Sequence, residues 1–212
     1  EVNLGSSTFG TVRLGNMVSE AYYAVADYVS MHNHDTGSSA DALYAYVGGN
    51  TNKVAYHSPS LGGATFDASR TLSEGTGSVS YDLAANWDGG PLHLGAGYEK
   101  NKTADKQQFA VRALYEMGAF TFGGYVQRDE NAFGTGNRTN LRLSGMYTMG
   151  QTEFHLNVGK AGKTGSIANS SASQFTAAVN YNLSKRTKIY GFYTKLDDSA
   201  ANLYGGDFRS FA

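Results

Sequence analysis

From about residue 52 to its end, the chain alternates apolar and polar residues in segments of some ten residues. The breaks between segments alternate too: one is short and Gly-rich, the next longer and polar. In Ser78–Trp87, the residues Val79, Tyr81, Leu83, Ala85 and Trp87 share one face, while Ser80, Asp82, Ala84 and Asn86 share the other. Successive side chains of a strand point to opposite faces, so each segment is a ribbon with one greasy and one wet surface. Repeated about a dozen times with aromatics near the segment ends, the pattern predicts an all-β, antiparallel up-and-down transmembrane barrel around a watery lumen.

A soluble β-sandwich adhesin also alternates, but its apolar face is a packed core of large aliphatics. Here that face mixes in Ala and Gly, and tyrosines gather toward the segment ends. Fifteen Tyr and 11 Phe against 2 Pro suit a structure that needs rings with a polar tip at a water–hydrocarbon boundary. A net charge of −1 lacks the basic excess of a nucleic-acid binder. The absence of Cys excludes a disulfide scaffold and a thiolate metal site. No run of eighteen apolar residues can form a transmembrane helix, but a barrel presents only every second residue to lipid, so a mean hydropathy of −0.38 is compatible with a membrane wall. Residue 1 is Glu, and both ends fall inside apparent strands, so the sequence reads as an excerpt of a longer exported protein.

The expected strands are Val2–Leu4, Phe9–Gly15, 52–58, 63–70, 78–87, 91–99, 107–117, 119–128, 138–148, 151–160, 173–182 and 186–196, with a partial strand from 207. Short turns and long loops take strict turns between them, as in a meander with two unlike rims. From Asn16 to Thr51 the beat stops. An interruption of that length inside a compact domain is usually functional. Within it, Tyr22–Val29 is expected to form a short helix and Ala40–Val47 a second apolar piece.

Three stretches, Phe9-Gly-Thr-Val-Arg-Leu-Gly15, Lys53-Val-Ala-Tyr-His-Ser-Pro-Ser-Leu-Gly-Gly63 and Tyr181-Asn-Leu-Ser-Lys-Arg-Thr-Lys-Ile-Tyr190, resemble the general diffusion porins of Gram-negative bacteria, in particular those of β-proteobacteria. The tail Gly205–Ala212 resembles the start of that family's last strand. The resemblance implies a 16-stranded homotrimeric barrel in the outer membrane, incomplete here, with strand 5 at Phe9–Gly15 and the long third loop at 16–51 folded into the lumen. Residues 1–212 then form a single domain covering about strands 4 to 16. The implied function is passive diffusion of ions and small hydrophilic solutes, in contact with outer-membrane lipid and lipopolysaccharide. Two departures, Asn16 after Gly15 where relatives usually read Leu-Gly-Arg-Gln, and Ala55 where many relatives carry Arg, weaken the case for strong anion selectivity.

The loop holds Glu20, Asp27, Asp35 and Asp41 and no Lys or Arg, while Arg13, Lys53 and Arg112 lie on inward strand faces. An acidic loop against a basic wall would set a transverse field at the narrowest section, ordering water and favouring polar solutes. These seven residues are the expected constriction. His32-Asn-His34-Asp35 has no third ligand at diagnostic spacing, so neither a metal nor a cofactor is expected. His93 and His155 face inward, but no Gly-x-Ser-x-Gly elbow accompanies them, and no enzyme is expected. The alternative to open diffusion is a substrate-specific channel, for a sugar or organic anion, for which Tyr125, Tyr190 and Phe192 are the candidate lumen aromatics. Arg70 falls on the lipid face at a rim, where a long cation can reach headgroup phosphates.

Overall fold

The computed structural model describes residues 1–32, 42–72 and 77–211. Its strands are β1 Val2–Ser6, β2 Gly10–Gly15, β3 Lys53–His57, β4 Ala64–Thr71, β5 Ser80–Gly89, β6 Leu92–Asn101, β7 Lys106–Met117, β8 Phe120–Glu130, β9 Asn137–Met149, β10 Thr152–Ala161, β11 Ala172–Ser184, β12 Thr187–Asp198 and β13 Phe208–Phe211. They form one antiparallel sheet in which every strand pairs with its sequence neighbours, with β1 and β13 at the edges. The expected all-β up-and-down architecture is the observed one, and strand bounds differ from expectation by at most two residues.

The alternation is realised strand by strand. In β7, Gln108, Ala110, Arg112 and Leu114 are buried while Phe109, Val111, Ala113 and Tyr115 are exposed. In β9, Arg138, Asn140, Arg142 and Ser144 are buried and Leu141 and Leu143 are open. The exposed face is thus the apolar one and the covered face carries Arg, Asn and Gln, inverted relative to a soluble protein and right for a wall with lipid outside. Two-residue turns join β7 to β8 and β9 to β10. Gly118 and Gly150 each sit there at φ 61°, a left-handed conformation that costs glycine little.

The polar face is covered by the chain between β2 and β3. Ser19 caps one helical turn, α1 Glu20–Tyr22, its hydroxyl accepting from the Tyr22 N–H at 3.1 Å. The turn widens into π-helical geometry over Tyr23–Asp27. The helix expected at Tyr22–Val29 therefore starts earlier and ends earlier, because the cap residue fixes its first turn. The second apolar piece is irregular over its described residues, yet Leu43, Tyr44, Ala45 and Val47 are all buried. Asp35 and Asp41 lie outside the described residues.

Candidate pore constriction

The inter-strand segment sits on the wall through an apolar patch. Ala24, Val25, Ala26, Val29 and Tyr44 pack on Ala84, Ala110, Leu114 and Tyr125, four residues that interrupt the polar face of β5, β7 and β8. Each large side chain so buried contributes roughly 1.5–3 kcal/mol. Space for the helical turn comes from wall glycines. A Cβ on Gly97 would lie 2.7 Å from the Ala21 Cα, and one on Gly95 would lie 2.6 Å from the Ala24 carbonyl oxygen.

Around the patch, wall side chains satisfy the segment's backbone, which has no ladder of its own. The Gln127 carboxamide accepts from the Ala45 N–H at 2.8 Å and donates to its carbonyl at 3.1 Å. Asn140 Nδ2 donates to the Leu43 carbonyl at 2.9 Å, and the Ser80 hydroxyl accepts from the Gly49 N–H at 2.8 Å. Glu99 accepts from the Val47 N–H at 3.3 Å. Arg112 stacks over the Tyr28 ring, 3.3 Å from its centroid, while Nε donates to the Ala24 carbonyl at 2.7 Å and Nη2 to Asn86 at 2.8 Å. Arg142 Nη1 donates to the Ser30 hydroxyl at 3.0 Å.

Of the seven expected constriction residues, five are described. Arg13 pairs with Glu20, and Lys53 pairs not with a loop acid but with Asp82 of β5 at 2.9 Å, while also donating to the loop's Val18 carbonyl at 3.4 Å. Asp82 also accepts from the Glu20 N–H at 2.8 Å, so Arg13, Glu20, Asp82 and Lys53 form one chain of contacts. Arg112 and Lys53 lie beneath the segment rather than in open space, at 3% and 2% exposure. Asp27 ends the π turn, where its carbonyl accepts from the Ser30 N–H at 2.9 Å. The simple picture of an acidic loop facing a bare basic wall therefore needs changing: the inward cations are largely engaged in holding the loop.

Burial raises the Glu20 carboxyl to a pKa of about 6, against the pull of Arg13 and with help from Asp67 and Asp82. Beside it opens a cavity of about 630 Å³ bounded by Arg13, Glu20, Tyr28, His57, Asp67 and Asp88. Its walls place Asp67 against His57, and Asp88 2.7 Å from His93, with the Tyr28 hydroxyl donating to Asp88 at 2.8 Å. The sequence reading missed Asp67, Asp82 and Asp88. Each stands at an inward position of the alternation, which was the available signal, but cross-strand pairing with His57 and His93 requires the register.

Tyr125 is not a lumen aromatic: it lies under the segment at 2% exposure, edge-on to Tyr44. Tyr190 and Phe192 pair across from Asn180 and Ala178 and share their inward face. His32 is buried with its Nδ1 3.3 Å from Asn157 Nδ2. His34 and Asp35 lie outside the described residues, among which no group of three His, Cys, Asp or Glu could hold a metal ion.

A sequence model described as Gram-negative porin matches residues 1–201. Outer membrane porin protein 32 of Delftia acidovorans is 25% identical over 94% of this chain, which spans 64% of that protein, less than two thirds of its length. Among solved structures, an anion-selective porin from Comamonas acidovorans superposes with a TM-score of 0.74 at 20% identity, over 93% of this chain and 66% of that one. A loop-deleted OmpT of Vibrio cholerae gives 0.76 at 14% identity, over 96% and 74%.

Proposed function

This chain belongs to the Gram-negative porin family, and from that premise we propose that its protein is a water-filled channel for passive diffusion of ions and small hydrophilic solutes. It is an integral outer-membrane protein, and the family resemblance extends the proposal to a homotrimer in contact with membrane lipid and lipopolysaccharide. The observation that carries the channel reading is the fastening of residues 17–32 and 42–49 across the polar face by wall side chains of β5, β7, β8 and β9. A segment held there narrows the passage without closing it, and the cavity beside Glu20 is the opening left between loop and wall.

No bond is made or broken; work is done by the shape and charge of the passage. Solutes pass Arg13 and Glu20 on one side and the His57–Asp67 and His93–Asp88 pairs on the other. Polar solutes exchange water for these groups at little cost, whereas apolar solutes would have to strip them. We assign the narrowing to 16–51 and its charges to Arg13, Glu20, Asp27, Asp35 and Asp41, with Lys53 and Arg112 as the cations that fix it. The full-length protein in a planar bilayer should show stepwise, non-saturating conductance. A silent bilayer would refute the channel, and conductance blocked by one sugar or organic anion would select the substrate-specific alternative.

A further inference from the structure

Met146 breaks the rule of its strand. On the inward face of β9 it follows Arg138, Asn140, Arg142 and Ser144, and unlike Leu114 it lies outside the apolar patch on which the segment docks. It stays half-buried, paired with Thr121 of β8 and His155 of β10. Met31 brings a second thioether to this side: it lies just beyond the π turn, packs against the docking patch and is also only partly covered. Both methionines line a second cavity, of about 420 Å³, together with Tyr28, Leu114, Glu116 and Lys188. Tyr28 also bounds the cavity beside Glu20, so the two spaces adjoin at its ring. The strand residues of the second cavity stand near the short-turn ends of β7 to β12, which places it on the turn side of the segment.

The charges of this cavity are separated across an apolar floor. Glu116 sits on β7 with 60% of its side chain exposed, and its ion-pair contact among the described residues is a long one, to His93 at 3.9 Å. Lys188 sits on β12, exposed and cross-strand from Asn182, and no carboxylate pairs with it among the described residues. Met146, on β9, stands between the two along the wall. The other acid of the cavity, Glu153, is occupied: it accepts from Asn182 Nδ2 at 2.7 Å and from Asn180 Nδ2 at 3.1 Å. One open carboxylate therefore stands apart from one open ammonium, with thioethers between them. Neighbouring strands are about 4.8 Å apart, so the two charged tips face each other across a gap rather than touch. A free amino acid, which bears both its charges on one carbon, does not reach both walls. Two or three residues of extended peptide span roughly 7–10 Å and separate their terminal charges by that much. Thioethers are flexible and polarisable, and adapt to apolar groups of different shape.

We infer that the cavity between Glu116 and Lys188 is a weak binding site for zwitterionic peptides of two or three residues that carry an apolar side chain. The peptide ammonium lies on Glu116, its carboxylate on Lys188, and its side chain on Met31 and Met146. The inference rests on the channel reading and deepens it, naming one solute class and the place where it lodges. Both ion pairs stand in water and contribute little singly, so the site holds its solute in the millimolar range. Passage favours such a site: it draws solute through the narrowing from dilute solution and holds it too weakly to stop it. Small ions meet only two exposed charges there and pass without saturation.

The test uses the full-length protein in phosphatidylcholine bilayers, with unit current in potassium chloride recorded as peptide is added. Alanyl-leucyl-alanine should reduce the current in part, with half of the effect reached at millimolar concentration. Triglycine, N-acetylated alanyl-leucyl-alanine amide and leucinamide should each need at least fivefold more. Met146→Ser should bring alanyl-leucyl-alanine and triglycine within twofold of each other and leave the advantage of free over capped ends. Glu116→Gln combined with Lys188→Gln should do the reverse, removing the advantage of free ends and sparing that of leucyl over glycyl. Gel mobility checks that each variant folds; should Met146→Ser misfold, the exposed pair Glu116 and Lys188 decides alone. Equal effects of the four solutes, an effect of leucinamide as strong as that of the peptide, or unchanged preferences in the double variant would overturn the inference. Wild-type current that no peptide alters sinks this inference alone, whereas a silent wild type sinks the channel reading.

Discussion

The Lys53 ammonium and the Asp82 carboxylate meet at 2.9 Å with 1% and 3% of their side chains exposed, behind the segment that joins β2 to β3. Asp82 is also the acceptor for the Ser69 hydroxyl at 2.6 Å and the Glu20 N–H at 2.8 Å. One buried carboxylate thus joins three strands to the first helical turn of the loop. Removing it strands a buried ammonium, and a broken buried pair costs about 3–5 kcal/mol. Asp82→Ala should therefore lower the urea midpoint of the detergent-solubilised protein, read by gel mobility, and raise open-channel noise. Lys53→Met combined with Asp82→Leu should recover most of the midpoint but not the quiet current, since the Glu20 N–H still lacks its acceptor.

Glu20 supplies a pH dependence. Its folded pKa of about 6 stands above the ordinary 4.5 because burial disfavours the charge, so the folded state holds this proton more tightly than the unfolded one. The stability it contributes is full below pH 4.5 and is lost as pH rises through about 6, a change of roughly 2 kcal/mol. In the passage the consequence is electrostatic: lowering pH from 7 to 5 neutralises Glu20 and leaves Arg13 uncompensated. Reversal potentials in a salt gradient should move toward anion preference over that window. The decisive quantity is the difference from Glu20→Gln, which should shift distinctly less. Equal shifts in both proteins would remove Glu20 from the passage.

Gln127 holds both backbone groups of Ala45, and nothing in the local sequence marks it apart from other inward glutamines. Gln127→Leu keeps the volume but orphans a buried N–H and a buried carbonyl, each costing about 1–3 kcal/mol. The expected outcome is a folded barrel with a loosened second half of the loop. Protease nicking between residues 42 and 49 should rise while the barrel's gel mobility stays unchanged; simultaneous loss of both would mean that Gln127 supports the wall rather than the loop.

The wall was legible because lipid on one side and water on the other enforce period two on each strand. Val111 and Tyr115 against Gln108 and Arg112 need no partner to be sorted. The interruption at 16–51 was legible for the same reason, as the place where that rule fails. What rests on the wall was harder to see. Lys53 was read as facing acids of the loop, yet its partner is Asp82, two strands away on the wall itself, a contact fixed by register rather than spacing. Ala84, Ala110 and Leu114 did carry a signal: apolar residues on a face that otherwise keeps polar ones mark where the loop docks. Tyr125 fell to the same oversight, since an inward aromatic serves a docked loop as well as a passing sugar.

Arg112 and Gly97 act on the loop in opposite senses and so test its role in the passage. Arg112 draws the π turn onto the wall through the Ala24 carbonyl and the Tyr28 ring, and Arg112→Ala removes a charged hydrogen bond and a stacking contact together. The loop should sit less firmly, with larger and noisier unit conductance and a stability loss of about 2–4 kcal/mol. Gly97 works by absence. Its missing side chain lets Ala21 approach so closely that an added Cβ would lie 2.7 Å from two Ala21 atoms, inside any real contact. Gly97→Val must push α1 off the wall and into the open space beside Glu20, so unit conductance should fall while Arg112→Ala raises it. Single-channel recordings of the two variants decide the matter. Changes of the same sign, or none in either, would mean that the segment lying on β5–β9 does not set the width of the pore.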